Sequence, residues 1–172
     1  MENNEIEKKE IAFRNPPQWD LTEESIRNGD YVDFDWDNDS LVIIEGYFSV
    51  IYRMISNAEE AFSPEYLWEK HSPFRINKII DEWNNNKKLC PILFCLNEKD
   101  DLGTGLNVVS GNHRLSVLRA YYGMMKKDFV FPFLMKKEES SWLLEKISVL
   151  KKNDVYNMIA TIENFFKNPD EK

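Results

Sequence analysis

The pentapeptide Ser110-Gly111-Asn112-His113-Arg114 sets a glycine, a titratable imidazole and a permanently charged guanidinium almost side by side. It lies between an apolar run, Leu106-Asn107-Val108-Val109, and a segment with helical spacing. Glycine tolerates the positive φ and the close approach that a sharp strand-to-helix corner demands. The first backbone N–H groups of a helix have no intrahelical partner and carry partial positive charge, so the natural ligand of such a corner is an anion. A phosphate could be gripped there by backbone, ring and guanidinium fork together. Ser110, Gly111, Asn112, His113 and Arg114 are therefore the candidate phosphate-binding set, with His113 and Arg114 the candidate catalytic pair. The competing reading is a turn held by internal hydrogen bonds, and it stays open on sequence alone. Hydrolysis would also need a base or a metal-holding carboxylate nearby; Glu82, Asp100, Asp101 and the aspartates between 33 and 39 are the candidates, and the metal ligands are undetermined.

The elements that must position this corner follow from the surrounding pattern. Leu106, Val108 and Val109 favour an extended strand, and Asn112 is placed to cap the following helix. Leu115, Leu118 and Tyr122 then share a face with Val117 and Tyr121 beside them, and Gly123 is the expected stop. Cys90 to Leu96 is nearly continuous apolar sequence, which predicts a central strand covered on both faces. The polar stretch from Asn97 to Gly105 would join it to the Gly111 strand as a hairpin. Phe129 to Met135 reads as the next strand, with Pro132 pointing to an edge or a bulge.

Pro91-Ile92-Leu93-Phe94, the polar loop, Val108-Val109-Ser110-Gly111-Asn112-His113-Arg114-Leu115 and the apolar strand after it resemble the ParB/sulfiredoxin-like fold over roughly residues 74–135. In that family a strand ending in a Gly-x-His-Arg turn opens a helix whose tip holds nucleotide phosphates. The resemblance implies that Gly111, His113 and Arg114 contact phosphate, with a nucleotide and Mg2+ as cofactors, and it is compatible with phosphohydrolase, nuclease or kinase chemistry. Sulfiredoxins carry a catalytic cysteine where this chain has Asn112, which excludes their sulfur-phosphate chemistry. The second nucleotide motif and the helix-turn-helix of partition proteins have no counterpart after Gly123, which argues against a DNA clamp. Ser110 stands where many relatives have an aspartate.

With 172 residues, 42% of them hydrophobic, the chain suits one well-packed core. A net charge of −8 argues against a general duplex-binding surface, because phosphate neutralisation needs clustered Lys and Arg. It suits a soluble protein or one that docks on a basic partner. The start Met1-Glu2-Asn3-Asn4-Glu5 has neither basic nor apolar character and no apolar run reaches membrane-spanning length, so the expectation is a cytoplasmic protein without membrane contact. Cys90 and Cys95 are five positions apart on one expected strand and face opposite sides, so they read as buried reduced thiols. Two His and two Cys without metal spacing give no support for structural zinc, and no haem or flavin is expected.

Residues 1–20 form an arm, with Phe13 and Trp19 as its anchors, and residues 21–172 a single domain. Thr22 starts a short helix that Asn28-Gly29 ends. Asp33, Asp35, Asp37 and Asp39 alternate with apolar residues and give a strand one acidic face, a solvated edge or else a dock for a basic protein. Leu41 to Ile44 is a strand; Tyr47 to Phe62 carries a helical stripe; Ser63-Pro64 and Ser72-Pro73 each start a helix. A C-terminal helical pair is expected over about 140–168, its second member marked by Val155, Met158, Ile159, Ile162, Phe165 and Phe166. The predicted class is α+β, a small mixed sheet with packed helices. Two functions compete: a nucleotide- or phosphate-binding enzyme, and a non-catalytic acidic module such as an antitoxin or immunity protein that neutralises a basic partner.

Overall fold

The computed structural model describes residues 7–29, 31, 40–55, 71–97, 105–151 and 159–166. The architecture is α+β. In chain order the elements are α1 (Glu23–Arg27), β1 (Leu41–Tyr47), α2 (Phe48–Met54), α3 (Pro73–Asn84), β2 (Ile92–Leu96), β3 (Leu106–Ser110), α4 (Asn112–Met125), β4 (Val130–Lys136), α5 (Lys137–Lys151) and β5 (Ile159–Phe166). The strands form one mixed sheet in the order β3-β2-β4-β1-β5. β2 and β3 pair antiparallel as the expected hairpin, β2 runs parallel to β4, and β1 is antiparallel to both β4 and β5.

Strand alternation sorts the core into two layers. Val42, Ile44, Ile92, Phe94, Phe131, Phe133 and Met135 face the helices α2, α3 and α4, whose Phe48, Ile51, Ile76, Ile80, Trp83, Leu115 and Leu118 meet them. Leu41, Ile43, Leu93 and Leu134 point the other way and are covered by Ile26 of α1 and by Tyr31. Strands buried on both sides explain the near-continuous apolar runs in β1, β2 and β4. Phe48 anchors the aromatic part of the large layer: it is fully buried and stacks on Phe129 at a centroid distance of 4.9 Å.

The arm packs along α3. Phe13 stacks on Trp83 with centroids 3.7 Å apart, the Trp83 indole donates to Asn15 O, and the Asn77 amide donates to Glu7 O. Trp19 pairs with Leu89 in a parallel bridge, and its ring lies 5.6 Å from Phe131. The Thr22 hydroxyl accepts from Ser25 N, as expected of a helix cap, and Asn28 ends α1.

Several expectations are corrected. β4, not β2, is the middle strand, so Pro132 lies in the sheet interior. The proline is tolerated because pairing with β2 begins only at Phe133; on that side of β4 the ladder has no partner at Pro132. Residues 159–166 form strand β5 on the open edge of β1 instead of a second C-terminal helix. The helical stripe after Tyr47 breaks at Ile55, which is extended and bridges to Leu106. Gly123 lies within α4, which ends at Lys126 in the left-handed region. Cys90 precedes β2 and both cysteines are only partly buried. The expected helix at Ser63-Pro64 lies outside the described residues. Among the described residues no helix is long and apolar enough to cross a membrane.

Candidate functional site

β3 runs directly into α4 through Gly111, which adopts φ 110° and ψ 23°. A Cβ there would sit 2.8 Å from Ile92 Cγ1, so the corner is closed to any side chain by both conformation and space. Gly111 itself is the cap residue: Leu115 N donates to Gly111 O at 2.9 Å and closes the first turn. Asn112 is consequently the first helical residue, exposed, and not the cap that its type suggests. No acidic residue occupies the first turn of α4, so nothing in the helix itself offsets the partial positive charge of its tip.

α3 lies against α4 and supplies the opposite wall. Between them is a cleft of about 390 Å³ that reaches Gly111, His113 and Arg114 from one side and Arg75, Lys78 and Glu82 from the other. Arg75 and Lys78 are exposed. Among the described residues three permanently or normally cationic side chains, Arg75, Lys78 and Arg114, thus line the cleft at the glycine corner against one carboxylate, in a chain of net charge −8. The only two histidines in the sequence meet here: the His71 and His113 rings are 5.0 Å apart, and His71 Nε2 is 2.7 Å from the Ser116 hydroxyl.

Arg114 is partly committed to the fold. Its Nη1 donates to the carbonyls of Cys90 and of Pro91, the latter at 2.8 Å, and the Tyr31 hydroxyl donates to the same Pro91 carbonyl at 3.0 Å. The guanidinium therefore staples the first turn of α4 to the chain entering β2, while its charge remains on the cleft wall. Burial pushes the Tyr31 phenol up to about 12 despite the lowering effect of Arg114, which keeps it a neutral donor. His113 is pulled below the usual histidine range, first by burial and then by His71, Arg75 and Arg114. Its imidazole is neutral at neutral pH, able to accept a proton or donate one hydrogen bond.

The structure gathers Ser110, Gly111, His113 and Arg114 on one cleft, with Asn112 at the exposed tip beside it. Of the carboxylates considered, Glu82 reaches the cleft; Asp100 and Asp101 lie outside the described residues, as do Asp33, Asp35, Asp37 and Asp39. Arg75, Lys78 and the pairing of His71 with His113 belong to this site without forming a motif in the sequence. A signal existed, since His71, Arg75, Lys78 and Glu82 recur at helical spacing opposite the apolar Ile76, Ile80 and Trp83. Among the described residues no group of three or more His, Cys, Asp or Glu is arranged to hold a metal ion. No protein-family model, no curated protein and no solved structure matches this chain.

Proposed function

We propose that this chain binds the phosphate of a nucleotide or another phosphorylated ligand at the Gly111 corner, on a ParB/sulfiredoxin-like core, and acts on it as a phosphohydrolase or nuclease. The observation that carries the reading is the concentration of Arg75, Lys78 and Arg114 around a helix tip with no side-chain cap, in an otherwise acidic chain. Backbone amides and cations converging on one cleft is what a phosphate requires. In this reading Arg75 and Lys78 clasp the anion, and Arg114 contributes charge while holding the corner in shape. His113, in its neutral form, takes the proton from a water that attacks phosphorus as the P–O bond to the leaving group breaks, and the departing oxygen takes a proton from solvent. Glu82, the one carboxylate lining the cleft among the described residues, would be the protein's ligand for Mg2+, which would supply neutralisation of phosphate charge.

A screen of nucleotides by thermal shift, with and without Mg2+, tests the reading. A ligand that binds only the folded state raises stability, by about 2.7 kcal/mol at a hundredfold excess over Kd. Stabilisation is expected for the unaltered chain and at least tenfold weaker binding for Arg75→Ala, a surface change that leaves the fold intact. Arg114→Ala is a poor discriminator, because it also cuts the staple to Cys90 and Pro91. No stabilisation by any nucleotide in either condition contradicts the proposal.

The depressed His113 makes a second, pH-based expectation. In the free protein the folded state disfavours imidazolium, so the stability His113 contributes is complete above the unfolded value near 6.5 and is lost as pH falls through the window below it. A bound dianion reverses the balance among His113, His71, Arg75, Arg114, Lys78 and Glu82 by favouring imidazolium. Sulfate, whose charge is constant across this range, is therefore expected to bind more tightly as pH falls from 8 to 6, with proton uptake measurable by titration calorimetry in buffers of different ionisation enthalpy. His113→Gln is expected to flatten that dependence; a profile unchanged by the substitution would remove His113 from the site.

A further inference from the structure

A second cleft, of about 460 Å³, adjoins the cationic one and shares Lys78 and Glu82 with it. Its wall carries Phe74, which is 68% exposed although it stands one residue into a twelve-residue helix whose apolar face is otherwise buried. Phe74 and Lys78 are one helical turn apart, so their side chains are neighbours on the same face of α3. Lys9, Lys87 and Asp81 also line this second cleft, Lys9 already paired with Asp81. An exposed aromatic ring thus stands one helical turn from Lys78, the cation that both clefts share.

Resting on the phosphate reading above, we infer that the ligand is single-stranded nucleic acid, with one phosphodiester at the Gly111 corner and the adjacent base stacked on Phe74. Every nucleobase has a π-face, so an exposed ring beside a cationic groove takes a strand without needing sequence. Each cleft is by itself the size of a small-ligand pocket, which gives the pair room for more than one nucleotide. The chain's net charge of −8 works against a duplex, whose binding needs a broad basic surface, but not against a short single strand held at two adjoining positions.

Fluorescence anisotropy with a short labelled oligothymidylate, competed by a duplex of equal length and by thymidine 5′-monophosphate, tests this. The oligonucleotide is expected to bind more tightly than either competitor, with log K falling by about 0.7 per decade of salt for each phosphate neutralised. Phe74→Ala is expected to weaken it about tenfold or more while Phe74→Tyr retains it. The thermal stabilisation given by inorganic phosphate should be the same in Phe74→Ala as in the unaltered chain. Oligonucleotide binding indifferent to Phe74→Ala overturns the inference, and so does a monophosphate that competes as well as the strand. Stabilisation by inorganic phosphate without oligonucleotide binding overturns the inference alone; absence of both removes the phosphate reading beneath it.

Discussion

Gly111→Ala is expected to destabilise the protein and to abolish anion binding together. At φ 110° an alanine sits in a backbone region that L residues rarely adopt, and its methyl group would press on Ile92 Cγ1 at 2.8 Å. Backbone strain and overpacking each cost about 1–3 kcal/mol, so the sum is about 2–6 kcal/mol. In a chain of this size that lowers Tm by roughly 4–24 °C. Ile92 cannot easily move, since it is fully buried in the large core layer and pairs with Phe133 at the centre of the sheet. Relief must come from the corner itself, which tilts the helix tip away from the cleft. Calorimetric unfolding measures the first effect and titration with inorganic phosphate the second. A variant with unchanged Tm would show that the corner is not held in the left-handed region.

The second large effect is expected at Arg114. Removing the guanidinium in Arg114→Ala strips the Cys90 and Pro91 carbonyls of their charged donor and leaves only the Tyr31 hydroxyl on Pro91 O. Hydrogen bonds to charged groups contribute more than neutral ones, and the half-buried setting moderates the loss, which gives about 2–4 kcal/mol by urea denaturation. Arg114→Lys keeps the charge but replaces a planar fork by a point donor, so it should recover less than half of that loss. Full recovery by lysine would mean that charge in the cleft, and not the staple to the start of β2, is what Arg114 contributes to the folded state.

The corner and its immediate neighbours were legible because local chemistry decides them. A β-branched run, one glycine and a helical stripe leave few alternatives, and α3 was equally plain from Ser72-Pro73 and the spacing of Ile76, Ile79, Ile80 and Trp83. Elsewhere the outcome depends on distant partners. Ile159, Ile162, Phe165 and Phe166 satisfy a helical period, yet Ile159, Thr161 and Ile162 are also β-branched, and the free edge of β1 selects the strand. Pro132 argues for an edge until the neighbouring strand is seen to start one residue later. The opposite wall of the cleft was beyond local reading for the same reason: nothing within residues 71–84 states that α3 will lie beside Gly111, so Arg75 and Lys78 read as an ordinary solvated helix face and Glu82 as one candidate carboxylate among several.

The identity of the cleft rests on whether the α4 tip receives an anion. Backbone amide chemical shifts followed during titration with inorganic phosphate report this directly, residue by residue. The largest changes are expected at Gly111, Asn112, His113 and Arg114, with Arg75→Ala shifting the midpoint to at least tenfold higher phosphate. Amides at the corner that stay unperturbed at tens of millimolar phosphate, while resonances elsewhere move, would contradict the account.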